Sequence, residues 1–262
     1  MLALYLTLLV VPACAIFLWE RFVVSKVPHA WSLYAATGII GSPVHELAHV
    51  VGCVLFRLPI RKVVLYRPDR ATGLMGYVVF AYRPGSWLNH VGMAVQGIAP
   101  MMAGAAIAVL ALSLVPYAPE DQSLTSMSAW LWTAASTPFP ALLALAGKGP
   151  VGGVMAVFVV CVSLHAIPSI ADMKVGWNGV VALLLFFLFI AGLSILVFGL
   201  DFGAATHLNV VRELLLVLEY WLWCLAFGVI GIVAIAVSAS FFVLLLPNFI
   251  LSRLCRPSPS QG

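Results

Sequence analysis

Histidines at positions 45 and 49, with a glutamate at 46, stand inside the stretch GIIGSPVHELAHVVGCVLF, Gly38 to Phe56. Four residues make about one helical turn, so both imidazoles project from one face and can reach a single ion, with Glu46 beside that face. This is the arrangement of a zinc hydrolase: His45 and His49 hold Zn2+, and Glu46 is the candidate general base toward water polarised by the ion. Two other readings stay open, a hydrogen-bonded His and Glu cluster joining helices and a proton relay in a transporter. The rest of the stretch is apolar and long enough to cross a bilayer, where each ionisable side chain costs about 2.5–3.5 kcal/mol on insertion scales. A proline at 43 removes one backbone donor and is expected either to loosen the turn before the motif or to act as a tolerated kink.

A catalytic zinc site has three protein ligands and an open position, so two histidines leave it incomplete. Most acidic residues fall outside or at the edge of the apolar runs. Asp172 is the exception, in SLHAIPSIADMKVGWNG, where Pro168 is expected to end or bend a helix just before it. Its alternative role is an interfacial pair with Lys174. His165, in the same segment, is the competing third ligand, a partner that orients a ligand, or a structural buried histidine. His29 and His90 at span ends, and His207 in a loop, are expected to be ordinary interfacial residues.

The elements that must position these groups follow from composition. Of 262 residues, 63% are hydrophobic and 8% charged, which is the balance of a membrane protein. The expected fold is an all-α polytopic membrane protein, one integral membrane domain over residues 1–262. Six transmembrane helices are expected at about Leu2–Trp19, Trp31–Phe56, Val91–Pro116, Val151–Ala171, Val180–Leu200 and Tyr220–Leu246. The net charge of +4 is small, and the basic residues border apolar runs without an aromatic stripe, which excludes a nucleic-acid surface. Arg57, Arg61, Lys62, Arg67, Arg70 and Arg83 follow the second span, whereas the next loop holds Glu120 and Asp121. That bias places the basic segment, and with alternating spans both termini, in the cytoplasm. Five scattered cysteines without metal-binding spacing read as small apolar fillers.

Two connections are not plain loops. Residues 58–90 contain KVVLY (Lys62–Tyr66) and YVVFAY (Tyr77–Tyr82) around the turn-rich RPDRATGLMG, a β-hairpin pattern at the cytoplasmic membrane face. Residues 117–150 are polar and proline-broken and are expected as an extracytoplasmic loop, with Trp130 and Trp132 near the headgroups.

Taken together, HELAH in one membrane helix, GIAPMMAG (Gly97–Gly104) in the next span, and a proline-then-aspartate segment in the one after resemble the site-two protease family of intramembrane zinc metalloproteases. The resemblance covers residues 31–179, with spans 31–56, 91–116 and 151–171 as the common core and the hairpin as its membrane-associated strands. It does not explain the first span or the two accessory spans of 180–246. It implies His45, His49 and Asp172 as zinc ligands and Glu46 as the catalytic base. The implied substrate is another membrane protein, cut within or near its transmembrane segments, and the implied setting is a bacterial inner membrane. Around its aspartate the family has an asparagine, a proline and a following glycine; here stand His165, Pro168, Asp172 and Met173. Against this stand a transporter or channel subunit using the same cluster for protons or metal ions, and an inactive relative that binds membrane clients. GIAPMMAGAA is expected to allow close helix packing, with Pro100 a local kink.

Overall fold

The computed structural model describes residues 30–83, 86–121, 123–169, 171–176 and 206–246, together with Cys14, Leu18 and a few positions between 188 and 196. Apart from Cys14 and Leu18, the expected first span lies outside the described residues, as do almost all of the fifth, both termini and His29. The chain is mostly helical with one small two-stranded antiparallel sheet. In chain order the elements are α1 (Ala30–Leu55), β1 (Ile60–Val64), β2 (Tyr77–Phe80), α2 (Trp87–Gln96) and α3 (Ala99–Ala111). They continue with α4 (Leu124–Ser136), α5 (Pro138–Ala146), α6 (Pro150–His165) and α7 (Thr206–Ala239), which a π-helical turn, Ser240–Leu245, extends.

Among the described residues, three helical stretches are long and apolar enough to cross a membrane: Trp31–Leu55, Leu124–Ala146 and Arg212–Phe242. A fourth arises if α2 and α3, bent by 62° at their junction, count as one span, and α6 is a shorter apolar helix. The third expected span is therefore broken, and for a local reason. Gly97 closes α2, and Pro100 falls in the first turn of α3, where its missing N–H costs nothing. Pro43 has no such effect, because α1 runs through it unbroken. His207 lies in the first turn of α7 rather than in a loop.

The larger departure is residues 117–150, expected as an external loop. They form α4 and α5, a nearly continuous apolar pair. Ser123 caps α4 by accepting from the N–H of Ser126, while Pro138 and Pro150 start α5 and α6, so these prolines begin helices. Trp130 is not at the headgroups but 1% exposed, its ring 5.0 Å from Trp223 and 6.1 Å from Phe227, with its indole N–H donating to the carbonyl of Tyr117. These rings belong to a core formed by α3, α4, α6 and α7, filled by residues such as Met101, Val159 and Ile232. Trp132, by contrast, is 74% exposed.

The hairpin forms where the sequence placed it, with Val64 opposite Tyr77 and Val63 opposite Val78. Rather than standing off the membrane face, it folds back along α1. Its start is tied to the end of α1 by the N–H of Leu58 on the carbonyl of Cys53. Further along, Ser42 Oγ donates to the carbonyl of Leu65 and the Tyr66 hydroxyl to that of Ala35, both at 2.8 Å. Asp69 closes the tip. The Thr72 hydroxyl and the Ala71 N–H donate to its carboxylate and hold it below the usual carboxylate range.

Replacing Trp130 by Ala should lower unfolding stability in detergent by about 3–5 kcal/mol, because the cavity and lost contacts add. Trp132→Ala should stay within about 0.5 kcal/mol, as expected of an exposed position; comparable losses for both would contradict the assigned core.

Candidate metal centre

The site forms where α1, α2 and the helical turn of residues 171–176 meet. The one-turn spacing in α1 brings His45 Nε2 to 3.2 Å from His49 Nε2. Asp172 closes the group, with Oδ2 at 3.4 Å from His45 Nε2 and Oδ1 at 3.2 Å from His49 Nε2. The three expected ligands thus converge, and this group could hold a metal ion. Ligand atoms about 2.0–2.1 Å from a tetrahedral zinc lie roughly 3.3–3.4 Å apart, close to the observed separations.

The second nitrogen of each imidazole fixes which atom faces that point. His45 Nδ1 hydrogen-bonds the backbone carbonyl of His165, which can only accept, so Nδ1 carries the proton. His49 Nδ1 lies 2.9 Å from Oε1 of Gln96. The amide nitrogen of Gln96 donates to the backbone carbonyl of His49 at 3.1 Å, which sets the amide so that its oxygen accepts from the His49 ring. Both rings therefore turn Nε2 toward each other and toward a carboxylate. Such a group repels itself unless a cation sits at its centre, either protons shared among the three or a metal ion. The donor set of two imidazoles and one carboxylate suits a divalent transition-metal ion, zinc and iron included.

Asp172 is positioned by a helix cap. Ser169 N–H and Ser169 Oγ both donate to Asp172 Oδ2 at 2.7 Å, and the Asp172 N–H donates back to Ser169 Oγ at 3.2 Å. This is a capping box in which the carboxylate also faces the two histidines. In a continuing helix the Ser169 N–H would bind the carbonyl of His165; here that donor goes to Asp172 and the carbonyl is released for His45. Pro168 and the capping box together make the break, and the break supplies both Asp172 and the acceptor for His45. The ion pairs of Asp172 among the described residues run to the histidines, not to Lys174.

The His165 side chain stands outside this group. Its ring stacks on Tyr34 at 4.3 Å, with Nε2 3.1 Å from the Thr37 hydroxyl. It occupies a notch in α1 at Gly41, where a Cβ would lie 2.6 Å from the imidazole. Of the roles open to His165 from the sequence, the orienting one applies, through its backbone. Gly97, at the α2 and α3 bend, approaches Gly176 just after Asp172: a Cβ on Gly176 would lie 2.8 Å from the Gly97 Cα. The small residues of GIAPMMAG thus let the helical turn bearing Asp172 dock.

Glu46 is 5% exposed and, with His45, His49 and Asp172, lines a cavity of about 210 Å³. The hairpin covers the cavity from Gly73 to Val78 and at Phe80. Gly76 makes this closeness possible: a Cβ there would lie 2.8 Å from Cγ of Glu46 and 2.7 Å from the carbonyl of Val64. Gln96 and Ser169 escaped the sequence reading. The available signals were two amides, Asn89 and Gln96, seven residues apart on one face of α2, and a Ser-x-x-Asp spacing directly after a proline. No family model matches the sequence, and neither the curated proteins nor the solved structures include one significantly similar to it.

Replacing Gln96 by Leu or Ser169 by Ala should each weaken metal binding about 10–100-fold, the usual effect of losing a group that orients a ligand. Titration of the purified protein with zinc against a competing chelator measures this; wild-type affinity in both variants would show that the network does not hold the ligands.

Proposed function

We propose that the chain is an intramembrane zinc endopeptidase of the site-two protease type, which hydrolyses peptide bonds in or near the transmembrane segments of other membrane proteins. The observation that carries this reading is the convergence of His45, His49 and Asp172 with the Glu46 carboxylate on the wall of the same cavity. When bound, zinc supplies Lewis acidity toward water and the scissile carbonyl. His45 and His49 hold their Nε2 atoms toward it because His165 and Gln96 occupy the other nitrogens. Glu46, at the next position after His45, takes the proton that water gives up on attack and passes it to the departing amine.

A substrate helix has its backbone groups paired internally, so it must open locally before its carbonyl can be attacked. Tyr77, Val78 and Phe80 of β2 line the cavity, and among the described residues β2 has one partner strand, β1, leaving its other edge to pair with an opened segment. The basic residues between α1 and α2 assign that end of α1 to the cytoplasm. Protons in place of the ion would make the same triad a relay, as in a transporter. Bound metal separates the two.

Purified wild-type protein should carry about one zinc, and Glu46→Gln should keep the zinc while losing cleavage of a membrane-protein substrate. Absence of zinc from well-folded wild-type protein overturns the proposal, and zinc without cleavage in the wild type would make the chain an inactive binder. Proline at Val78 or Val79 should reduce cleavage at least about tenfold with zinc unchanged if strand addition holds the substrate; unaltered cleavage would remove that step.

A further inference from the structure

At the base of the hairpin lies a cluster that the metal site does not use. Asn89, 3% exposed, accepts from the N–H of Arg83 at 2.9 Å and donates to the carbonyl of Phe56 at 3.2 Å, so one buried side chain joins both strand-flanking segments. The N–H of Ala81 donates to the carbonyl of Pro59, and Ile60 pairs with Phe80, which brings Arg61 to the same end. Arg57, Arg61 and Arg83 are all exposed, and among the described residues no carboxylate forms an ion pair with any of them.

Arg57 carries a second signal. The N–H of Leu58 donates to the carbonyl of Cys53 at 2.8 Å and that of Arg57 to the carbonyl of Val54, the bonding of a Schellman cap. This puts Arg57 at the position after the helix where φ is positive, here 53°. Glycine adopts that conformation freely and a residue with a Cβ does not. An arginine is kept where the backbone favours glycine, which directs attention to what its side chain binds.

The surroundings select the class of ligand. Val54 and Leu55 in the last turn of α1 are 66% and 67% exposed, and Leu88, beside Asn89, is 41% exposed. Cations at the rim of an exposed apolar surface, at the end of a membrane-crossing helix, match a lipid whose headgroup is anionic and whose chains lie on that surface. An acidic protein segment would use the arginines but not the apolar flank.

We propose that Arg57, Arg61 and Arg83 form a binding site for the headgroup of an anionic phospholipid at the hairpin base. The proposal does not depend on the proteolytic reading. It links bilayer charge to the cavity, because the strand that begins the site, β1, pairs with the strand that covers the cavity, β2.

The test uses the full chain in phosphatidylcholine bilayers containing spin-labelled phosphatidylglycerol or spin-labelled phosphatidylcholine, and reads relative association by electron paramagnetic resonance. Wild type should prefer the anionic lipid at least about fivefold, the effect of one well-placed arginine. The combined R57G, R61Q and R83Q variant should approach equal association. R57G alone should lower the preference while leaving the melting temperature unchanged or raised, which separates lost binding from lost folding. Equal preference in wild type and the combined variant overturns the proposal. So does binding of a soluble glutamate-rich peptide by wild type only, without lipid preference, which would reassign the cluster to an acidic protein partner.

Discussion

An imidazole has two nitrogens, and each histidine of this site commits one of them to the scaffold. His45 donates to a backbone carbonyl and His49 to a glutamine oxygen, so both rings are locked with Nε2 inward. Everything else near the site follows from meeting that condition inside apolar surroundings. The last turn of α6 must open to release the His165 carbonyl, and α2 must end where Gln96 can reach α1. Because both requirements are met by helix termini, the site sits where α2 and α6 stop beside the middle of α1.

The same economy explains the bends. The helical turn of residues 171–176 docks at Gly97, where α2 and α3 change direction by 62°. A straight helix there would carry side chains into the path of the turn that bears Asp172. The core around Trp130, Trp223 and Phe227 lies on the other side of α3 and α6 and anchors both. Stability and chemistry thus occupy different parts of the bundle, joined through α3 and α6.

How much of this was legible depended on whether the signal was periodic or tertiary. His45, Glu46 and His49 were readable because a ligand pair on one helix must repeat at the helical period, and an apolar background makes three polar residues conspicuous. Asp172 was readable from its proline. Gln96 and Ser169 were not, since their partners are a backbone carbonyl on another helix and a carboxylate whose orientation only the folded break defines. The hairpin strands were clear from β-branched and aromatic residues, but their course along α1 depends on Ser42 and Tyr66, which carry no sequence pattern. Residues 124–146 misled for a physical reason: prolines that start helices look the same in sequence as prolines that break them, and a buried Trp130 looks the same as an interfacial one.

The course of the hairpin has a consequence for the bilayer itself. α1 offers the roughly 30 Å of apolar length that a hydrocarbon core requires, yet the hairpin beside it has exposed Lys62 and Arg67 separated by four residues, Val63 to Tyr66. Four strand residues extend only ~13 Å. Lipid against that flank would meet charge at less than half its normal depth and would have to thin or admit water there, at a modest cost for each ångström of mismatch. The protein would then present two different hydrophobic thicknesses to one membrane, the thin side being the one that borders the cavity of His45, Glu46, His49 and Asp172.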